Sequence, residues 1–412
     1  MNKTTRRKKL SLVILMVILM NTLLIYGDTY DHQDLFRTQK EFRGAWISSV
    51  YNLDWPSSKG LGIQQQKDEY TALLDELERT GINAVMVQIK PAADALYPSQ
   101  HAPWSEYLTG TQGKSPGYDP LKFMIEETHK RDMEFHAWFN PFRVTTNTDK
   151  TDKLDPKNPA KQHPEWVLKY GGKLFLNPGL AVVRTYVKKT VLEVVKNYDV
   201  DGIHFDDYFY PYPDANENPI PDHAAYEPYK KTYPNKADWR RHNINLMIKD
   251  ISIGIKNIKP EVEFGISPFG VWRNSSIDPK GSQTKAGITS YDSLYADTRY
   301  WAYTGWIDYI VPQIYWNIGY KPADYETVLK WWVEEMRGKP VKLYVGQALY
   351  KVGTDGVGTN GAWLNPNELP NQIMMNRTYD TVQGSIYFRA KLITDNILGF
   401  TDQLKYNFYA KP

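Results

Sequence analysis

Two adjacent carboxylates, Asp206 and Asp207, interrupt the segment DGIHFDDYFYPYP at residues 201–213. The residues before them read as a buried strand. Gly202, His204 and Asp206 share one face, and Ile203, Phe205 and Asp207 share the other. Acids at the end of an apolar strand are costly to desolvate, so such a position usually serves chemistry. The alternative is a turn or helix cap that closes the strand. Hydrolysis of a glycosidic bond needs a proton donor on the leaving oxygen and a group that stabilises the oxocarbenium-like centre. Neighbours on one strand point apart, so this pair need not flank a bond as two facing carboxylates do. A 2-acetamido group on the substrate can itself attack the anomeric carbon, and then one Asp orients the acetamido N–H while the other protonates the leaving oxygen. Like charges this close push one pKa up, as a proton donor requires. Asp207 is read as the general acid and Asp206 as the orienting group or nucleophile; residue type alone leaves the two roles interchangeable.

The elements that must carry this pair recur along the chain. Eight apolar segments, 42–50, 82–90, 134–143, 202–207, 263–269, 307–316, 342–350 and 384–390, alternate with helical periodicity. In the first helix Tyr70, Leu73, Leu74 and Leu77 fall on one side and Gly81 stops it. Asp119 and Pro120 open the second. Ile244, Met247, Ile248, Ile251, Ile255 and Ile258 form the apolar face of the fourth. Eight strand–helix alternations without a Gly-rich phosphate turn predict an α/β fold, a single (β/α)8 barrel of the TIM type. Links from helix to strand are short and links from strand to helix are long. The extra length therefore lies at the C-terminal mouth, where such barrels build their sites. Long loops on one face also favour an open cleft and endo action.

The other strand ends supply candidates for binding: Trp55 after strand one; Gln88, Lys90 and Asp94 after strand two; Trp138, Asn140 and Arg143 on strand three; His204 and Tyr208 beside the acids; Phe269 and Trp272 after strand five; Gln313, Tyr315 and Trp316 after strand six. Amides, charges and flat rings around two acids suit sugar hydroxyls and pyranose faces. Several of these, Trp138, His136 and Gln88 among them, equally fit the filled layers of a barrel core. Asp54, Asp94, Asp206 and Asp207 are the candidate carboxylates, since no acid closes strands five to eight.

Lys3, Arg6, Arg7, Lys8 and Lys9 precede an apolar run at residues 10–26. Residues 1–27 thus read as an export signal or a retained N-terminal membrane anchor, and 28–412 as the barrel domain outside the cytoplasm. Removing those five charges from the formal +3 leaves about −2, so the basic balance belongs to the leader and not to a nucleic-acid surface. The absence of cysteine excludes disulfides and thiolate nucleophiles.

At these residues the chain resembles the bacterial glycosyl-hydrolase-like family 10, on the blocks FRGAWISSVYNLDWPS, GINAVMVQIKPAADALYPS, PWSEYLTG, FHAWFNPFRV, DGIHFDDYFYPYP, FGISPFGVWRN and YIVPQIYW. The resemblance implies a (β/α)8 barrel, glycosidase chemistry and a role in cell-wall metabolism, because a characterised member cleaves peptidoglycan strands stripped of their peptides. It carries the family's carboxylate motif onto Asp206 and Asp207, and its strand-two and strand-three blocks onto Asp94, Asn140 and Arg143. Lys90 stands where the family pattern has Arg, which would weaken a bidentate contact to an acid-bearing sugar. The expectation is therefore a glycosidase of an acetamido-sugar envelope polysaccharide that uses no cofactor and no metal. Two other readings compete: a carbohydrate-binding barrel without catalysis, and a metal-dependent polysaccharide deacetylase with His136 and His204 meeting at the mouth.

Overall fold

A computed structural model describes residues 41–410, apart from Val357 and the side chains of residues 148–150. The leader or anchor at residues 1–27 lies outside the described residues. Ten strands form: β1 (Phe42–Ile47), β2 (Ala84–Lys90), β3 (Glu134–Phe139), β4 (Val167–Tyr170), β5 (Lys173–Leu176), β6 (Gly202–Phe205), β7 (Glu263–Ile266), β8 (Tyr309–Ile310), β9 (Lys342–Gln347) and β10 (Val382–Tyr387). Eight of them close a barrel in the order β1-β2-β3-β6-β7-β8-β9-β10, every pairing parallel.

All eight expected strands are present, most with shorter bounds. The segment 307–316 keeps only the two residues of β8. Pro312 has no N–H to give, and the ladder resumes beyond it only as isolated bridges from Gln313 to Phe269 and Gly346. One feature was not expected. β4 and β5 pair antiparallel inside the loop after β3, joined by Gly171 and Gly172 at φ of 53° and 69°. Two successive residues with positive φ are what a tight hairpin turn needs, and glycine adopts them at no steric cost.

Eight α-helices of five or more residues form among the described residues: α1 (Ile63–Thr80), α2 (Pro120–His129), α3 (Ala181–Asn197), α4 (Lys236–Ile258), α5 (Thr298–Tyr303), α6 (Tyr325–Met336), α7 (Glu368–Arg377) and α8 (Ala390–Thr394). On α1, Tyr70, Leu74 and Leu77 are buried and Leu73 half-buried, and the helix ends at left-handed Gly81. Asp119 accepts from Lys122 N and caps α2. The α4 face is buried through Ile255, but Ile258, the last helical residue, is 40% exposed.

Inside the barrel the packing alternates large rings with glycine. A Cβ on Gly202 would meet the His136 ring at 2.2 Å, and one on Gly265 would meet the Tyr309 ring at 1.9 Å. The glycines thus make room for a layer in which His136 Nδ1 and His204 Nδ1 each lie 3.0 Å from Tyr309 Oη. This layer is the floor of the site.

Candidate active site at the barrel mouth

Above that floor the mouth encloses a cavity of about 440 Å³. Trp46, Gln88, Trp138, Phe269, Gln313, Tyr315, Trp316, Tyr350 and Phe388 line it together with Arg143, Lys173 and both aspartates. Asp206 and Asp207 are 4% and 6% exposed. β6 ends at Phe205, so strict alternation ends there too, and both acids face the same cavity. Asp206 Oδ2 accepts from Trp138 Nε1 at 3.1 Å and Asn140 Nδ2 at 2.9 Å. Its Oδ1 accepts from the backbone N–H of Tyr208 at 3.2 Å. The turn-closing role is therefore real, but it occupies one oxygen of one acid. Asp207 Oδ2 accepts from Tyr212 Oη.

Burial and the neighbouring Asp207 charge push the Asp206 carboxyl up to about 7, although Arg143 and the Trp138 hydrogen bond pull the other way. Burial also raises Asp207 above the usual carboxylate range, against the opposing pull of Tyr212 and Arg143. Arg143 lies over the Tyr208 ring, 4.6 Å from its centroid, and donates from Nη1 to Pro91 O at 3.2 Å. His204 sits one layer below. Trp46 Nε1 can only donate, so His204 Nε2 accepts at 3.1 Å and Nδ1 carries the proton toward Tyr309. Full burial presses this imidazole well below its ordinary pKa, which keeps it neutral.

Of the other sequence candidates, Gln88, Trp138, Arg143, Tyr208, Phe269, Gln313, Tyr315 and Trp316 line the cavity. Asn140 and His204 act from behind, through Asp206 and Trp46. Four lie elsewhere. Trp55 is buried against Tyr70 with its Nε1 on Gln66 O, so it anchors α1. Trp272 stacks on Trp331 and donates to Asp297. Lys90 is buried with Nζ on Ala92 O, its pKa pulled down to about 8 by burial. Asp94 accepts from Gln112 Nε2 at 3.1 Å. Gln112 Oε1 in turn accepts from Asp155 N and Asn158 Nδ2, so Asp94 helps to staple two loops together. Asp54 is likewise spent, on Ser48 N, Arg389 and Lys391 N. The two imidazoles expected at the mouth meet instead across Tyr309 beneath it, with His136 Nε2 turned to Glu134. Among the described residues no group of three His, Asp or Glu side chains is placed to hold a metal ion.

A family model described as Glycosyl hydrolase-like 10 matches residues 41–365. The chain belongs to the glycosyl hydrolase-like 10 family. Its relatives include glycosyl hydrolase YngK of Bacillus subtilis, 53% identical over 91% of this chain and 73% of the relative. Glycosyl hydrolase DigH of Escherichia coli K12 is 41% identical over 86% of this chain and 84% of the relative. The glycoside hydrolase domain of PgaB (BpsB) from Bordetella bronchiseptica superposes with a TM-score of 0.57 at 13% identity, over 90% of this chain and all of that one. The catalytic domain of β-amylase from Paenibacillus polymyxa gives 0.58 at 11% identity, over 91% and all. These two show a shared barrel fold.

In this glycosyl hydrolase-like 10 barrel, sequence reasoning missed part of the cavity wall. Trp46 lies on β1 and Phe388 just beyond β10, within segments whose pattern marks them only as strands. Tyr212 belongs to the most informative motif, yet its contact with Asp207 depends on how residues 206–212 turn. Lys173 and Phe175 come from the β4–β5 hairpin. A signal existed there: VLKY and KLFL flank Gly-Gly, the spacing of a two-residue hairpin.

Proposed function

We propose that this protein is a glycoside hydrolase of an acetamido-sugar polysaccharide of the bacterial envelope, peptide-stripped peptidoglycan glycan being the leading substrate. One observation carries the reading: the carboxylates that line the cavity among the described residues are Asp206 and Asp207, sequence neighbours with no third acid facing them. Two facing carboxylates about 5 or more Å apart would serve the ordinary retaining or inverting schemes. A neighbouring pair suits a substrate whose own acetamido oxygen attacks the anomeric carbon. Membership of the family, and relatives carrying the name glycosyl hydrolase, support hydrolysis over mere binding.

The division of labour follows from the hydrogen bonds. Three donors converge on Asp206, the indole N–H, the backbone N–H and the Asn140 amide N–H whose oxygen already accepts from Arg143 N, and none of them can accept in return. They hold Asp206 as the anion once the pair shares a single proton. Tyr212 Oη can donate or accept, so Asp207 keeps that proton without losing its partner. Asp206 then orients and polarises the acetamido N–H, and Asp207 protonates the leaving oxygen. After departure, Asp207 takes a proton from the water that opens the cyclic intermediate. Trp46, Trp138, Tyr315 and Trp316 supply ring faces for the sugars. An extracytoplasmic setting, reached through the leader at residues 1–27, belongs to the same proposal.

The test is digestion of stem-free peptidoglycan glycans and of other acetamido polysaccharides, with products read by mass spectrometry. Asp206→Asn and Asp207→Asn are each expected to lower turnover about 10²–10⁴-fold with no fall in the thermal midpoint. Full activity in both variants would end the assignment. Glycan binding without product release by the wild-type protein would make it a carbohydrate-binding barrel.

A further inference from the structure

The aromatic wall of the cavity has a second use. Trp316 and Tyr350, which line the cavity beside the aspartates, also line a separate hollow of about 400 Å³. Its other walls include Asn317 and Tyr320 from the chain after β8, and Lys351 and Trp363 from the chain after β9. The two hollows therefore adjoin across shared rings.

The chemistry of this hollow is that of a sugar site, and it is unfinished. Asn317 is 5% exposed and Trp363 1% exposed, yet Asn317 Oδ1 and Trp363 Nε1 make no hydrogen bond. The Asn317 amide N–H is already spent on Ile318 O at 2.8 Å, so the orphan is its acceptor. Both residues line the hollow, and a buried acceptor and a buried donor left unpaired in its walls are a costly arrangement. A sugar hydroxyl both donates and accepts, so it has the chemistry to pair with either one. The Lys351 ammonium is held on Tyr315 O at 2.6 Å and its pKa is lowered by burial, which points to bracing of the Tyr315 wall and not to recognition of an anion. Tyr320 is half-buried and presents a ring to the same space.

We propose that this hollow is a distal saccharide subsite, taking a neutral or acetamido sugar residue of the same chain whose cleaved bond lies over Asp206 and Asp207. The inference rests on the glycosidase reading of the cavity. It makes the substrate an oligosaccharide long enough to occupy both hollows.

Glycan oligosaccharides of defined, increasing length, prepared from peptide-stripped peptidoglycan, test it. For the wild-type protein, kcat/KM is expected to rise with chain length and then level off. Tyr320→Ala is expected to remove that rise, with about a tenfold higher KM on the long chains and unchanged kinetics on the shortest chain cleaved. Tyr320→Phe is expected to restore it, since the ring and not the hydroxyl stacks. Equal behaviour of Tyr320→Ala and wild type at every length overturns the subsite, as does a loss that is the same on short and long chains. If the wild-type protein cleaves no chain of any length, the glycosidase reading fails by itself. Calorimetric binding of the longest chain to the Asp207→Asn protein then decides the subsite: weaker binding on adding Tyr320→Ala supports it, and equal binding overturns it.

Discussion

At the scale of single residues the protonation of the aspartate pair governs everything else. Two buried acids side by side cannot both ionise cheaply, so the pair holds one proton near neutrality. The two acids titrate as one coupled pair, so the value of about 7 reached at Asp206 marks where the pair's shared proton leaves, whichever oxygen carries it. Turnover is therefore expected to fall as pH rises through about 7, measured as kcat/KM against pH on a glycan substrate. A basic limb well above pH 9 would contradict the shared proton. Stability carries the same sign. Between the ordinary value near 3.8 and about 7 the folded state binds more protons than the unfolded chain. The thermal midpoint should thus decline as pH rises across that window, with a shallower decline when either acid is replaced by Asn. Here the sequence was informative: the acids, Trp138, Asn140 and Arg143 were all legible from strand ends. Lys90 and Asp94 were not, because the loop after β2 folds them under Gln112 and Ala92 and away from the cavity.

At the scale of elements the β4–β5 hairpin matters most. It docks on the chain after β3 through Val144 N to Leu174 O at 2.9 Å and Leu176 N to Phe142 O at 2.8 Å. That docking brings Phe175 and Lys173 to the cavity rim. Among the described residues the Lys173 ammonium has neither an ion pair nor a hydrogen bond. Under the proposed function it is the residue expected to serve as the point charge for an acid-bearing sugar, in place of Lys90. Lys173→Met is expected to raise KM several-fold on lactyl-bearing glycans and to leave kcat and chitin-type neutral oligosaccharides unaffected. The difference should shrink with added salt, as an exposed charge contact does. An equal loss on neutral chains would show that the hairpin merely shapes the rim. Helices α1 and α4 were legible because each buries one stripe of a 3.6-residue period, and α2 because Asp119 and Pro120 mark its start. The hairpin was not, since four-residue strands inside a long loop carry little periodic signal beyond the Gly-Gly turn.

At the scale of the whole molecule, closure of the barrel joins the two ends of the described chain. β1 pairs with β10, and Glu41, just before β1, grips Arg377 at the end of α7. Their side chains are 7% and 4% exposed, and Arg377 also donates to Phe408 O at 3.1 Å. This contact fixes the first strand, the last long helix and the C-terminal segment at one point. Removing one partner strands the other's charge in the interior. Glu41→Gln should accordingly cost about 3 kcal/mol in denaturant unfolding with little effect on turnover. A cost below about 0.5 kcal/mol would mean that water reaches the pair and screens it.

The order of strands and helices, the face on which the loops grow, and two acids at the end of β6 were all set by local patterns. Side-chain period and turn chemistry encode those directly. Which strand-end side chains share a cavity was decided only by the folded loops. Trp55 and Trp272 sit at the right places in the chain, yet pack outward onto Tyr70 and Trp331. Tyr212 and Lys173 arrive at the cavity through a turn and a hairpin. A strand's period fixes a direction for each side chain, but a loop's path depends on contacts made far along the chain, and no short pattern records those.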